Sequence, residues 1–244
     1  EDNPDWKVFF NLLKGMYVKH PIRIPIAGSV DSIMKITKDE LYTYYNTFYH
    51  PQNMALFLAG DLDIDITIDT IRDNQNKKEF TEDINFKKLY PREPENVNKQ
   101  TSSLEMNVSR PLFSLGFKEI NIPDTPKNII KQEILTNILL EMIIGKSSDS
   151  YRKLYQEDII DNSFSYGYKC TANYAYVNLN GQTSYPDKIF ERLKESIFDA
   201  EDNITEEKLM RIKKKYTGDF IRGFNNLEVI ASEFGVKATN VKDV

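Results

Sequence analysis

Apolar residues at Trp6, Phe9, Phe10, Leu13 and Tyr17 fall at helical spacing between Asp5 and Val18. Asn3 and Pro4 supply a cap and a first-turn proline, so the pattern predicts an amphipathic helix packed on a sheet. From His20 to Gly28 two prolines break any period, which predicts an extended loop. Thr37 and Glu40 then form a capping-box pair that opens a helix running to Tyr49. Asn53 to Gly60 is apolar on both faces, the pattern of a central strand covered on each side. A Gly-Asp pair and a helix to about Asn76 follow.

The pattern turns polar between Lys77 and Thr101, with Pro91 and Pro94, and reads as a linker. It then restarts. Strands are predicted at Ser102 to Val108 and Pro111 to Lys118, helices at Thr125 to Ile144 and Ser148 to Glu157, and strands at Ser163 to Cys170 and Asn173 to Gly181. Helices at Asp187 to Ala200, Thr205 to Arg222 and Leu227 to Lys237 close the chain. This order is that of an α+β domain with helices layered on a largely antiparallel sheet. In the strand after Asn173, Ala175, Val177 and Leu179 share one face and Tyr174, Tyr176, Asn178 and Asn180 the other, which predicts one covered face and one open to solvent or a cleft. The reading divides the chain into residues 1–80, a linker at 81–100 and a second α+β domain at 101–244.

Composition narrows the function classes. With 40% hydrophobic and 28% charged residues the 244-residue chain is ordinary globular material, and no apolar run has the roughly 18 to 20 residues of a membrane span. A net charge of −5 argues against a nucleic-acid partner, and Lys213-Lys214-Lys215 reads as the wet face of a helix. The single cysteine, Cys170, excludes an internal disulfide and fits a reducing, cytoplasmic setting.

Candidate chemistry is sparse. A hydrolytic zinc site takes about three nitrogen or oxygen ligands from the protein and leaves a position for water. His20 and His50 each precede a proline in a loop and are not spaced one helical turn apart, so both read as rings that cap a loop or hydrogen-bond a carbonyl. Glu1 and Asp2 are accounted for by the helix dipole. Gly145-Lys146-Ser147 lacks the earlier glycine of a phosphate loop and follows a helix; it reads as a left-handed cap at Gly145 with Ser147 or Ser148 starting the next helix. No Gly-x-Ser-x-Gly elbow occurs, and Cys170 lies in a predicted strand far from either histidine in sequence.

One stretch carries more: Lys19-His-Pro-Ile-Arg-Ile-Pro-Ile-Ala-Gly-Ser-Val-Asp-Ser-Ile, a helix, then Phe48-Tyr-His-Pro-Gln-Asn-Met-Ala-Leu-Phe-Leu-Ala-Gly-Asp61. It resembles the pitrilysin/insulinase family of inverted zinc peptidases, in its bacterial half-length branch. The resemblance implies a two-domain half-clamshell of the metallopeptidase-like LuxS/MPP type, each domain a largely antiparallel sheet covered by helices. The family's His-x-x-Glu-His motif is not in this sequence, and its glutamate ligand would match a position before Glu1. Zinc is thus implied for the parent protein, with no metal ligand and no catalytic residue here.

In the second domain the family pattern Leu-Phe-x-Glu-x-Arg-x-x-x-Gly-x-x-Tyr, whose arginine and tyrosine bind the substrate carbonyl, falls on Leu154 to Tyr166. Tyr166 matches the tyrosine, Ile159 stands at the arginine position and the glycine is missing. An apolar side chain cannot stabilise an oxyanion, which leaves Tyr166 and, from a neighbouring turn, Arg152 as substrate-binding candidates. Tyr166 can equally be a strand residue with its hydroxyl at the sheet rim. The implied partners are a peptide or unfolded protein and a second, similar subunit. Two functions stay open: the non-catalytic part of a peptide-binding chamber in a zinc peptidase, or a peptidase-like scaffold subunit without turnover. Either way, apolar surface around Trp6, Phe9 and Phe57 is expected to lie exposed.

Overall fold

The computed structural model describes residues 3–79, 89–200 and 204–242. Glu1, Asp2 and much of the expected linker lie outside them. The chain separates into two compact units, one of Glu1–Ile26 and Tyr90–Gly218, the other of Ala27–Leu89 and Asp219–Asp243.

The first unit is built on a three-stranded antiparallel sheet of β1 (Leu112–Glu119), β2 (Ser165–Cys170) and β3 (Ala175–Gln182), in the order β1-β3-β2. Its register pairs Phe113 with Gly181, Leu115 with Leu179 and Tyr168 with Val177, so alternate residues of all three strands share a face. On one face Phe113, Tyr168, Cys170, Ala175 and Leu179 pack against helices α5 (Pro126–Ile144), α6 (Asp149–Gln156) and α7 (Ile189–Phe198) through Ile144, Leu154 and Leu193. This is the main core and the covered face that the alternation predicts.

The other face is not left open. Helix α1 (Pro4–Met16) lies over β1, and Leu13, Met16 and Tyr17 bury against Tyr176. Gly116 makes the approach possible: a Cβ there would come within 2.9 Å of Leu12 and closer still to Met16. Tyr176 is therefore a buried contact, while Asn178 and Asn180 stay half-buried. The reading of this face as solvent or cleft holds only for its far end, because a period of two reports alternation and not what covers either side.

Local signals set the helix starts. Asn3, Thr125 and Ser148 each accept a hydrogen bond from the backbone N–H three residues on. Gly145 ends α5 with φ −66° and ψ 157°, so the expected left-handed cap is wrong. Glycine is needed there for another reason: a Cβ would collide with the Glu141 carbonyl oxygen. A true left-handed residue appears later, where α6 ends. Asp158 has φ 55°, and the N–H groups of Asp158 and Ile159 bond to Tyr155 O and Leu154 O, a Schellman ending with aspartate in the usual glycine position.

The second unit carries α2 (Val30–Ile33), α3 (Lys38–Phe48), α4 (Ile64–Asn76) and α9 (Leu227–Lys242); α8 (Glu206–Gly223) begins in the first unit. Thr37 and Glu40 form the predicted capping box. A Ser29–Ser32 box that opens α2 was not anticipated. The strand expected at Asn53 to Gly60 is absent: the segment is irregular and exposed, with Leu56 at 66% and Leu58 at 54%. Ser102 to Val108 likewise forms no strand. Both have strand composition, but a strand exists only through a ladder, and no described residue pairs with either. Trp6 and Phe57 are exposed as expected, and Phe9 is half-buried.

Candidate functional site

Tyr166 sits on β2 facing the helix layer, and its hydroxyl donates to Glu141 Oε2 at 2.7 Å. Glu141, on the last turns of α5, receives Lys215 Nζ on its other oxygen at 2.8 Å. Burial pushes the Glu141 carboxyl up, but hydrogen bonds from Lys215 and Tyr166, together with the Lys215 and Arg211 charges, outweigh it and hold the group below its ordinary range. Burial and the Glu141 carboxylate push the Tyr166 phenol up. The hydroxyl is thus a protonated donor already committed to an ionised acceptor. Lys215 is no free member of the basic run from Lys213 to Lys215.

Arg152 is exposed on α6 and pairs with Asp149 in the same turn. Tyr166 and Arg152 hold different partners, and no hydrogen bond or ion pair joins them. Ile159 is buried at 5% in the main core beside Leu154, the apolar contact a Schellman ending favours. The loop around it is held by Arg110, which reaches Asp158, Asp161 and Ser184. The position that the family pattern gives to arginine therefore serves packing.

His20 and His50 are turn caps. Each precedes a short 3₁₀ turn, Pro21–Arg23 and Pro51–Asn53, and each Nδ1 accepts a backbone N–H, from Ile22 at 3.1 Å and Gln52 at 3.3 Å. His20 is stacked on Tyr90 and edged by Tyr174. With Nδ1 accepting, Nε2 carries the hydrogen, and it is buried without a partner among the described residues. Burial lowers the His20 pKa, with Lys118 adding to the effect and Glu93 opposing it, so the ring is neutral. Cys170 is buried in β2, and burial pushes its thiol up, the reverse of what a nucleophile needs.

Sequence reasoning missed Glu93. Its carboxylate accepts the N–H groups of Val18, Lys19 and His20 at 2.7, 2.8 and 2.7 Å, and Lys118 Nζ from β1 at 2.7 Å. Burial would raise its pKa, yet these four donors bring it from 4.5 down to about 2. Lys118, nearly fully buried, also donates to the carbonyls of Pro94 and Asn96. This clamp fixes the His20 loop and the chain after Tyr90 to the sheet. A shallow cavity of about 270 Å³ lies between α1 and the sheet, lined by Asp5, Val8, Phe9, Leu112, Phe113, Ser165, Asn180 and Gly181.

A family model described as the peptidase M16 inactive domain matches residues 35–216. The uncharacterized zinc protease YmfH of Bacillus subtilis is 39% identical over 96% of this chain, which covers 55% of that protein. A putative M16-like peptidase from Alicyclobacillus acidocaldarius superposes with a TM-score of 0.91 at 33% identity, over 100% of this chain and 58% of that one. A protease from Helicobacter pylori shares the fold at a TM-score of 0.76 and 17% identity, over 98% and 57%. The chain belongs to the peptidase M16 inactive-domain family, and it spans about half the length of the relatives it matches.

The relatives' name implies zinc, and the residues here do not fit it. Both histidines spend Nδ1 on backbone N–H groups, and among the described residues no three His, Cys, Asp or Glu side chains gather as a metal would require.

Proposed function

We propose that this chain is the non-catalytic part of a peptide-binding chamber in a zinc-dependent M16 peptidase, and that it does not hydrolyse peptides by itself. The observation that carries the reading is the match to the inactive-domain family in a chain whose Leu154 to Tyr166 loop has replaced the substrate-binding arginine by the buried Ile159. The half-clamshell of two similar α+β domains, a second similar subunit and a cytoplasmic setting belong to the same reading. Among the described residues no helix is long and apolar enough to cross a membrane.

Within it, Tyr166 and Arg152 are the substrate-facing residues. Tyr166 exchanges Glu141 for a peptide carbonyl as it binds, and Arg152 gives up Asp149 for a peptide carboxylate or carbonyl. The peptide adds its main chain to a sheet edge, which gives affinity with little sequence selectivity. The family description "inactive" also favours a second reading, a scaffold subunit in a protein without turnover.

The test is a quenched unfolded peptide incubated with the chain and zinc, with binding followed by anisotropy. The expected result is saturable binding, weakened by Tyr166→Phe and Arg152→Ala, and no chelator-sensitive cleavage. Stoichiometric zinc with chelator-sensitive cleavage overturns the non-catalytic assignment. Absence of peptide binding removes the chamber and leaves the scaffold.

A further inference from the structure

His20 and Arg23 stand at the two ends of one tight turn in the first unit. The Arg23 N–H bonds back to the His20 carbonyl at 3.3 Å and closes the 3₁₀ turn. Residues three apart in such a turn eclipse, so the two side chains leave the backbone on one side. Each carries a nitrogen that is shielded from solvent and has no hydrogen-bond partner among the described residues, Nε2 of His20 and Nε of Arg23. Buried polar groups in folded proteins are as a rule paired, so two orphans on one turn call for an acceptor.

The His20 half is fixed by its surroundings. The residue is 3% exposed, Nδ1 is spent on the Ile22 N–H, and Tyr17, Tyr90 and Tyr174 pack against the ring with centroids 5.8, 5.5 and 5.2 Å away. The ring is thereby held as an Nε2–H donor. Glu93 does not serve either nitrogen. Its carboxylate already accepts the N–H groups of Val18, Lys19 and His20 together with Lys118 Nζ, and Lys118 balances its charge. That leaves the Arg23 guanidinium without an opposite charge among the described residues. A water would answer the two donors but not the charge. A carboxylate answers both, because an oxyanion on the Nε–H of an arginine also meets the neighbouring Nη–H of the same planar fork.

We propose that the His20–Arg23 turn is a carboxylate-binding site, with His20 Nε2–H and the Nε edge of the Arg23 guanidinium as its donors and the tyrosines around His20 as its wall. The site uses neither Tyr166 nor Arg152, and it stands whether or not the chain lines a peptide chamber. The carboxylate comes from a free small anion or from a peptide C-terminus. Both present the same planar pair of oxygens, and the test separates them.

The test follows the His20 Nε2–H and Arg23 Nε–H resonances of the isotope-labelled chain by NMR. Acetate, a short peptide with a free C-terminal carboxylate and the same peptide amidated are each titrated in. The expected result is saturable movement of both resonances with acetate. Tighter binding of the free-acid peptide than of acetate and of the amidated peptide assigns the carboxylate to a peptide end; any other ranking among the binders assigns it to a small anion. Arg23→Gln should weaken acetate binding roughly 10-fold or more, because it removes a charged donor. Arg23→Lys should weaken it less, since lysine keeps the charge and loses the fork. Amide protection of Val177 and Leu179 in β3 should stay unchanged in both variants, which shows that the fold is intact. Resonances that move with neither acetate nor the free-acid peptide overturn the proposal. Undiminished binding by Arg23→Gln overturns it as well, and so does an equal response to chloride at matched ionic strength.

Discussion

The two units of this molecule draw on similar amino acids and use them differently. In the first, a three-stranded sheet is covered on one face by α5, α6 and α7 and largely on the other by α1, and Leu154, Leu179 and Leu193 are fully buried. In the second, α3 and α4 have well-formed caps yet contribute no buried apolar side chain among the described residues. Capping and propensity start helices, but a core needs layers to close on. Most helical stability comes from a packed apolar face, so the second unit's helices rest on weaker support.

The largest effect that can break this contrast is truncation of a core leucine. Leu179→Ala is expected to cost about 2 to 5 kcal/mol, whereas Leu58→Ala should stay within about 0.5 kcal/mol. Urea denaturation of both variants measures the difference, and equal costs would dissolve the distinction.

Next is the Glu93 clamp. Glu93→Ala leaves Lys118 buried without its carboxylate and should destabilise the first unit by about 3 kcal/mol. Because the folded-state pKa is depressed from 4.5 to about 2, the clamp's stabilisation is present above pH 4.5 and is lost as pH falls through about 2. The wild type should therefore lose stability across that acid range more steeply than Glu93→Gln, as denaturation midpoints at successive pH values would show. His20 acts earlier on the scale. Its lowered pKa favours the fold above the ordinary value of 6.5, and this contribution declines as pH falls below that value.

The smallest of the three is Tyr166→Phe. Losing one hydrogen bond to a carboxylate that keeps Lys215 should cost about 1.5 kcal/mol. A much larger loss would show that the Glu141 network organises the sheet, and a neutral result would show that this hydrogen bond adds nothing to the stability of the fold.

How much of this was legible follows from the range of each interaction. The caps at Asn3, Thr37, Thr125 and Ser148 lie within three residues of what they cap, and the alternation of β3 is local, so the sequence displays them. The Glu93 clamp spans more than seventy residues to Val18, and the Tyr166–Glu141–Lys215 chain joins three elements, so no spacing rule reaches either. Ser29–Ser32 was missed because its third position holds serine where the usual box has Glu or Gln. The strands expected at 53–60 and 102–108 had the right composition and no partner. The same distance effect limits the site. Ile159 at the arginine position was readable from the pattern, while its place beside Leu154 in the core was not.

Hydrogen exchange on the chain by itself tests the account most directly. It predicts that amides of β3, such as Val177 and Leu179, exchange only through global unfolding, while those of Ala55 to Leu58 exchange within a small factor of the unfolded rate. Equal, strong protection at both places would contradict it.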